Sequence, residues 1–168
     1  QLDMVVILGP TASGKTKLAV ALANAIQGEI ISADSRQVYR QMDIGTGKDL
    51  SEYTIDGQQI PYHLIDIYNP GEKYHVYQFQ QDFQKAYQSI RSRGKMPILC
   101  GGTGLYIESV LLDRTMTAVP VNLALRHELE QYSDSGLHQI FESSTSAYDS
   151  VADISTRKRL IRAIEIKQ

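Results

Sequence analysis

The octapeptide Gly9-Pro10-Thr11-Ala12-Ser13-Gly14-Lys15-Thr16 constrains this chain more than any other stretch. It matches G-x-x-x-x-G-K-[ST], in which glycines let the backbone curl so that its N–H groups converge on phosphate oxygens. Both flanks agree. Residues 4–8 are a continuous apolar run, the pattern of a buried parallel strand, and residues 17–26 are rich in helix formers. Strand, glycine loop and helix together place a helix N-terminus behind the phosphate. Lys15 adds a full positive charge, and the Thr16 hydroxyl can hold Mg²⁺. The motif predicts a site for a di- or triphosphate group at residues 9–16. It does not say which molecule carries the phosphates.

The 168 residues suffice for one domain, or for one domain with an insertion. An apolar fraction of 42% and a charged fraction of 21% are those of a soluble globular protein. No apolar run approaches the length of a membrane-spanning helix. The N-terminal apolar run reads as the first strand rather than a signal peptide, and Gln at position 1 implies a trimmed or processed chain. The single Cys100 excludes an internal disulfide and fits a reducing, cytoplasmic compartment. At the end of a predicted strand it reads as a small buried hydrophobe, not a catalytic thiol. The net charge of −2 neither requires nor excludes a nucleic-acid partner.

Along the chain, apolar strand runs alternate with helical patterns, which predicts a three-layer α/β domain with a mainly parallel sheet. Strands are expected near 4–8, 29–32, 63–67 and 96–100, and a hairpin over 53–62 with Asp56-Gly57 at its turn. Gly28 is expected to cap the first helix. A long helix is expected over 76–93, because Val76, Phe79, Phe83, Tyr87 and Ile90 recur every three or four residues and Gly94 follows. His63 reads as structural. Asp34 leaves the end of the second strand, on the sheet edge that carries the phosphate loop and where ligands of open parallel sheets bind. It is a candidate for chemistry, with capping of a turn as its other role. Residues 41–48 form a second glycine loop ending in a cation, Lys48. Thr103 follows the paired Gly101-Gly102 at another strand end, facing the same crevice or capping the helix from 105. From 113 to 154 no strand pattern occurs, and a small helical insertion is expected, with helices over 123–132 and 137–143 and breaks at Pro120 and Gly136. Ser155 is a candidate cap for a final helix. That helix carries Arg157, Lys158, Arg159 and Arg162, with Glu165 opposing, as a solvated face or a phosphate-contact surface.

Jointly, Gly-Pro-Thr-Ala-Ser-Gly-Lys-Thr at 9–16, Asp-Ser-Arg-Gln-Val-Tyr at 34–39, Met-Asp-Ile-Gly-Thr-Gly-Lys at 42–48 and Gly-Gly-Thr-Gly-Leu-Tyr at 101–106 resemble the tRNA dimethylallyltransferases. His-Leu-Ile-Asp-Ile at 63–67 and Arg-Leu-Ile-Arg-Ala-Ile-Glu at 159–165 are similar as well. The resemblance implies a P-loop NTPase-like core, 1–112 plus 155–168, and a tRNA-contacting insertion, 113–154. It also implies that the family's further C-terminal helices are absent from this chain. The implied reaction moves a dimethylallyl group from its diphosphate to the exocyclic amine of an adenosine beside the tRNA anticodon. By motif position, Asp34 matches the general base and Thr103 a residue at the reacting centre. Residues 9–16 match the diphosphate site, with Thr16 toward Mg²⁺. Ser35, Arg36 and Gln37 match positions near the acceptor adenosine, together with Asp34 and Thr103. Arg126 is similar to a tRNA contact, and Lys158, Arg159 and Arg162 join it as candidate tRNA-binding residues.

Three other readings share these features. An isopentenyltransferase acting on free adenine nucleotide would use the same loop and aspartate. A small-molecule kinase would bind ATP there under a lid, for which Arg114 and Arg126 could supply arginines. A nucleotide-dependent switch would bind without turnover.

Overall fold

The computed structural model describes residues 3–112, 119 and 121–168; Asp113, Arg114 and Pro120 therefore lie outside the described residues. The chain divides into two compact units, Gln1–Met116 and Thr117–Gln168. The elements of the first, in order, are β1 (Val5–Leu8), α1 (Lys15–Ile26), β2 (Glu29–Ser32), β3 (Thr54–Ile55), β4 (Gln58–Gln59), β5 (Tyr62–His63), α2 (Val76–Ser92), β6 (Pro97–Gly101) and α3 (Gly104–Leu111). The second unit holds α4 (Leu123–Leu129), α5 (Asp134–Glu142) and α6 (Arg157–Lys167).

Four strands form a parallel sheet in the order β1-β6-β2-β5. Successive strand residues point to opposite faces, so Ile30 and Ile98 pack with Ala19, Val20 and Ala23 of α1, while Ile31 and Leu99 pack with Phe79, Phe83 and Ile90 of α2. These are the three layers expected from the sequence. The aromatics of α2 are core: Phe79 is stacked on Tyr106 with ring centroids 4.4 Å apart.

The third expected strand is cut short. Pairing to β2 ends at His63, because Leu64 and Asp66 take positive φ values of 63° and 56°. The chain turns there and runs on beside 37–40: the N–H of Asp66 donates to Gln37 O (3.1 Å) and that of Ile67 to Val38 O (2.9 Å). An apolar run cannot reveal this, since neither Leu nor Asp at that spacing signals a left-handed residue. The left-handed position ending α1 belongs to Gln27 (φ 53°), not Gly28. Gly28 instead sits where a Cβ would meet Met96 O at 2.8 Å. The hairpin forms as expected, β3 pairing antiparallel with β4 around Asp56-Gly57.

In the second unit α4, α5 and α6 bury Leu129, Leu137, Phe141, Leu160, Ile161 and Ile164 together. The final helix, α6, packs with α4 and α5. Gly136 does not break a helix: it lies in the first turn of α5, its N–H donating to the capping Ser133 Oγ (3.2 Å). Thr156, rather than Ser155, caps α6.

Candidate active site

Because β6 lies between β1 and β2, three strand ends stand side by side, with Leu8 opposite Gly101 and Ser32 opposite Cys100. The 9–16 loop leaves β1, Asp34 follows β2, and Gly102-Thr103 follow β6. Two of these strand ends touch. A Cβ on Gly101 would fall 2.2 Å from Ala33 O, so only glycine lets the β6 end pass this close to the segment leading into Asp34. The close approach at Gly101 is therefore to the chain itself, at Ala33.

A cavity of about 550 Å³ opens above these ends. Thr11–Lys17 form one wall, Ser32, Asp34 and Gln37 a second, and residues from Asp43 to Tyr53 a third, over a floor of Cys100, Gly101 and Gly102. Gly9 and Pro10 lie outside this lining, as do Ser35, Arg36 and Thr103. In the loop, Ala12 and Gly14 have φ values of 61° and 81°, and Gly14 is the N-cap of α1. Lys15 Nζ donates to Pro10 O, a contact within the loop itself. Residues 11–14 are exposed, and the unpaired first-turn N–H groups of a helix beginning at Lys15 suit an anion.

Asp34 caps a turn and also stands at the cavity. Its Oδ1 accepts from the N–H groups of Arg36 (2.8 Å) and Gln37 (3.2 Å), which caps the turn. Its carboxylate also lines the cavity, and no described residue donates to Oδ2. Thr103 Oγ1 accepts from the N–H of Ser35 (3.1 Å), and its own N–H donates to Ala33 O (3.2 Å), so Thr103 ties α3 to the segment that carries Asp34. Arg36 is exposed. Gln37 Nε2 donates to Gly47 O (3.2 Å), holding the second glycine loop against this wall. Burial pushes the Cys100 thiol up to about 11, against a smaller pull from Lys15, so it stays protonated and is no nucleophile at neutral pH.

Lys48 was a weak signal in sequence and is prominent in the structure. Its side chain is 1% exposed, and its ammonium lies 2.6 Å from Asp43 Oδ1 and 2.5 Å from Asp66 Oδ1. Burial pulls its pKa down; the two carboxylates more than reverse this, and the group stays charged. The nearest sequence signal was the Gly-Thr-Gly-Lys run, but its partner Asp66 is 18 residues away. His63 is structural, as expected: its Nε2 lies 2.7 Å from Glu29 Oε2, which also accepts from Arg93 (2.7 Å).

The basic residues of the second unit are mostly committed to partners. Glu165 is 3% exposed and accepts from Arg126 Nε (3.0 Å) and Nη2 (2.7 Å), from Arg162, and from the N–H of Asn122 (2.6 Å). Burial pushes its pKa up, but the hydrogen bonds from Arg126 and Arg162 win and hold it at about 2. Arg157 pairs with Asp134 (2.5 Å) and donates to the carbonyls of Glu130 and Tyr132. Arg159 pairs with Asp153 at the surface (2.8 Å). Lys158 is exposed, with no hydrogen bond or ion pair to a described residue. A carboxylate with a depressed pKa stabilises the fold above its unfolded value, near 4.5, and that contribution fades as pH falls from there toward 2. Chemical denaturation at pH 6 and pH 3 should show the second unit losing on the order of 2 kcal/mol more than a Glu165→Gln variant loses over the same interval. Equal losses would mean that Glu165 is not the group responsible.

The IPP transferase family model matches residues 37–168, and an isopentenyl transferase model matches 2–60. A tRNA dimethylallyltransferase of Bacteroides fragilis is 56% identical over 99% of this chain and 54% of its own length, and one of Parabacteroides distasonis 53% over the same shares. The chain thus spans about half the length of the curated relatives it matches. The crystal structure of a full-length tRNA isopentenylpyrophosphate transferase from Bacillus halodurans matches with a TM-score of 0.63 and 40% identity, over 98% of this chain and 55% of that one. A eukaryotic dimethylallyltransferase captured acting on tRNA matches with a TM-score of 0.76 and 28% identity, over 97% of this chain and 40% of the other. No helix among the described residues is long and apolar enough to cross a membrane. On sequence and fold together, this chain belongs to the IPP transferase family.

Proposed function

We propose that the protein transfers a dimethylallyl group from dimethylallyl diphosphate to the exocyclic amine of an adenosine next to the tRNA anticodon. The observation that carries this reading is the shared cavity of the phosphate loop and Asp34, in a chain whose relatives are named for that reaction. The loop N–H groups and Lys15 would hold the diphosphate, where they stabilise the negative charge that grows as the allylic C–O bond breaks. A neutral aryl amine is a weak nucleophile. Asp34 Oδ2, unpaired within the described chain and on the cavity wall, would accept a hydrogen bond from it, orient it, and take its proton as the C–N bond forms. The acceptor base must leave its stack to enter such a cavity. Gln37, on the same wall, would lie beside it, while Ser35 and Arg36 flank Asp34 outside the lining.

The residues present suit Mg²⁺. Thr16 offers a hydroxyl at the cavity, one oxygen ligand for an ion that takes its others from phosphate and water. Bound there, it would neutralise charge on the leaving diphosphate.

Incubating the protein with labelled dimethylallyl diphosphate and either tRNA or AMP tests the proposal. Label in tRNA is expected. Label in AMP alone would favour the free-nucleotide acceptor. Phosphate transfer from ATP to a small molecule would favour a kinase.

For tRNA binding by the second unit, Lys158 is the best placed, being exposed and unpaired among the described residues. Arg159 follows, since its pair with Asp153 lies at the surface, whereas Arg126, Arg157 and Arg162 are held by several partners. Replacing both with Ala should flatten the dependence of log affinity on log salt by about one unit per lost phosphate contact. An unchanged slope would make α6 a solvated face.

A further inference from the structure

The ammonium of Lys48 has three N–H donors, and all three are used: by Asp43 Oδ1 (2.6 Å), Asp66 Oδ1 (2.5 Å) and Tyr39 O (3.0 Å). Each acceptor belongs to a different stretch. Asp43 lies on the glycine loop that forms one cavity wall. Asp66 lies on the turn whose N–H donates to Gln37 O. Tyr39 ends the segment that begins at Asp34. A second link runs the same way, since Gln37 Nε2 donates to Gly47 O and Ser32 Oγ donates to Gln37 Oε1 (3.3 Å). None of these contacts involves residues 9–16.

We propose that Lys48 is a positioning residue for the acceptor side of the site: it locks the 42–48 loop and the 66–68 turn onto the segment carrying Asp34, and so sets where the acceptor amine meets that carboxylate. The inference rests on the transfer reaction proposed above. It assigns no contact between Lys48 and substrate. A fully paired, desolvated cation at a three-way junction fixes that junction in one arrangement, and a misplacement of about 1 Å at a reacting centre can cost on the order of 10²-fold in rate.

The test uses the whole protein. Lys48→Met removes the charge and keeps the length. Its kcat for transfer to tRNA should fall by about 10–100-fold, while its affinity for dimethylallyl diphosphate stays within about threefold. Asp66→Asn, at a site that is partly exposed, should act in the same direction more mildly, and the double variant should be no worse than Lys48→Met, since Lys48→Met already removes the Asp66 link. Asp66→Asn alone decides the matter if Lys48→Met fails to fold. Three results would each overturn the proposal: transfer within about threefold of wild type, donor affinity falling in step with kcat, or additive effects in the double variant. Wild-type protein that binds the diphosphate yet labels no acceptor would contradict the reaction instead. Amide exchange then decides the role of Lys48. Faster exchange at Arg36 and Gln37 in Lys48→Met, with 9–16 unchanged, supports the lock; unchanged exchange at 36–37 refutes it.

Discussion

Asp34→Asn should cut turnover by about 10²–10⁴-fold, the range that a general base contributes, while leaving donor affinity the same or slightly better. The structure makes this substitution discriminating. Asn keeps a carbonyl oxygen in place of Oδ1, so the turn-capping bonds from Arg36 and Gln37 survive. What changes is the Oδ2 side, where an acceptor that no described residue uses becomes an N–H₂ donor. The variant should fold, yet it can neither take a proton nor stabilise positive charge developing on the amine. Donor affinity should not fall, because a carboxylate beside a bound diphosphate repels it. Single-turnover transfer alongside direct measurement of donor binding checks both halves. A variant transferring at the normal rate would exclude Asp34 as base. A variant that loses its fold would reduce Asp34 to the cap it also is.

Lys15→Ala should weaken donor binding and slow transfer together, the latter by about 10²–10³-fold, the scale of losing one donor aimed at charge that develops in the transition state. The rate should suffer more than the affinity, because the diphosphate carries most charge as it leaves. In the structure Lys15 rests on Pro10 O, at the start of the loop, so removing it costs the fold little. Kinetics with dimethylallyl diphosphate, read as kcat and KM separately, check the claim. Full activity would mean that the leaving group sits elsewhere.

Much of this architecture was legible from the chain alone, for identifiable reasons. The 9–16 loop could be read because the motif it matches needs fixed residues at fixed spacing beside a strand and a helix. Asp34 could be placed at the crevice because a parallel sheet sends all its strand ends to one edge. The features that escaped depend on partners distant in sequence. The engagement of α6 could not be read from its own run of basic residues: Arg157 is held by Asp134, and Arg126 and Arg162 converge on Glu165, which looked like one opposing charge on a solvated face and is buried at the centre of a network. What Gly101 makes room for is Ala33, a neighbour too far back in the sequence for any local pattern to show it. Lys48 looked like a loop cation, although every donor of its ammonium is satisfied by acceptors up to 18 residues away.

The central claim is that the cavity between the 9–16 loop and Asp34 is where the diphosphate leaves and the amine attacks. A crystal structure with an unreactive thiodiphosphate analogue of dimethylallyl diphosphate tests this most directly. The account predicts diphosphate oxygens on the backbone N–H groups of residues 11–16 and on Lys15, with the allylic carbon turned toward the Asp34 carboxylate. Diphosphate bound away from the loop, or an allylic chain pointing away from Asp34, would contradict it.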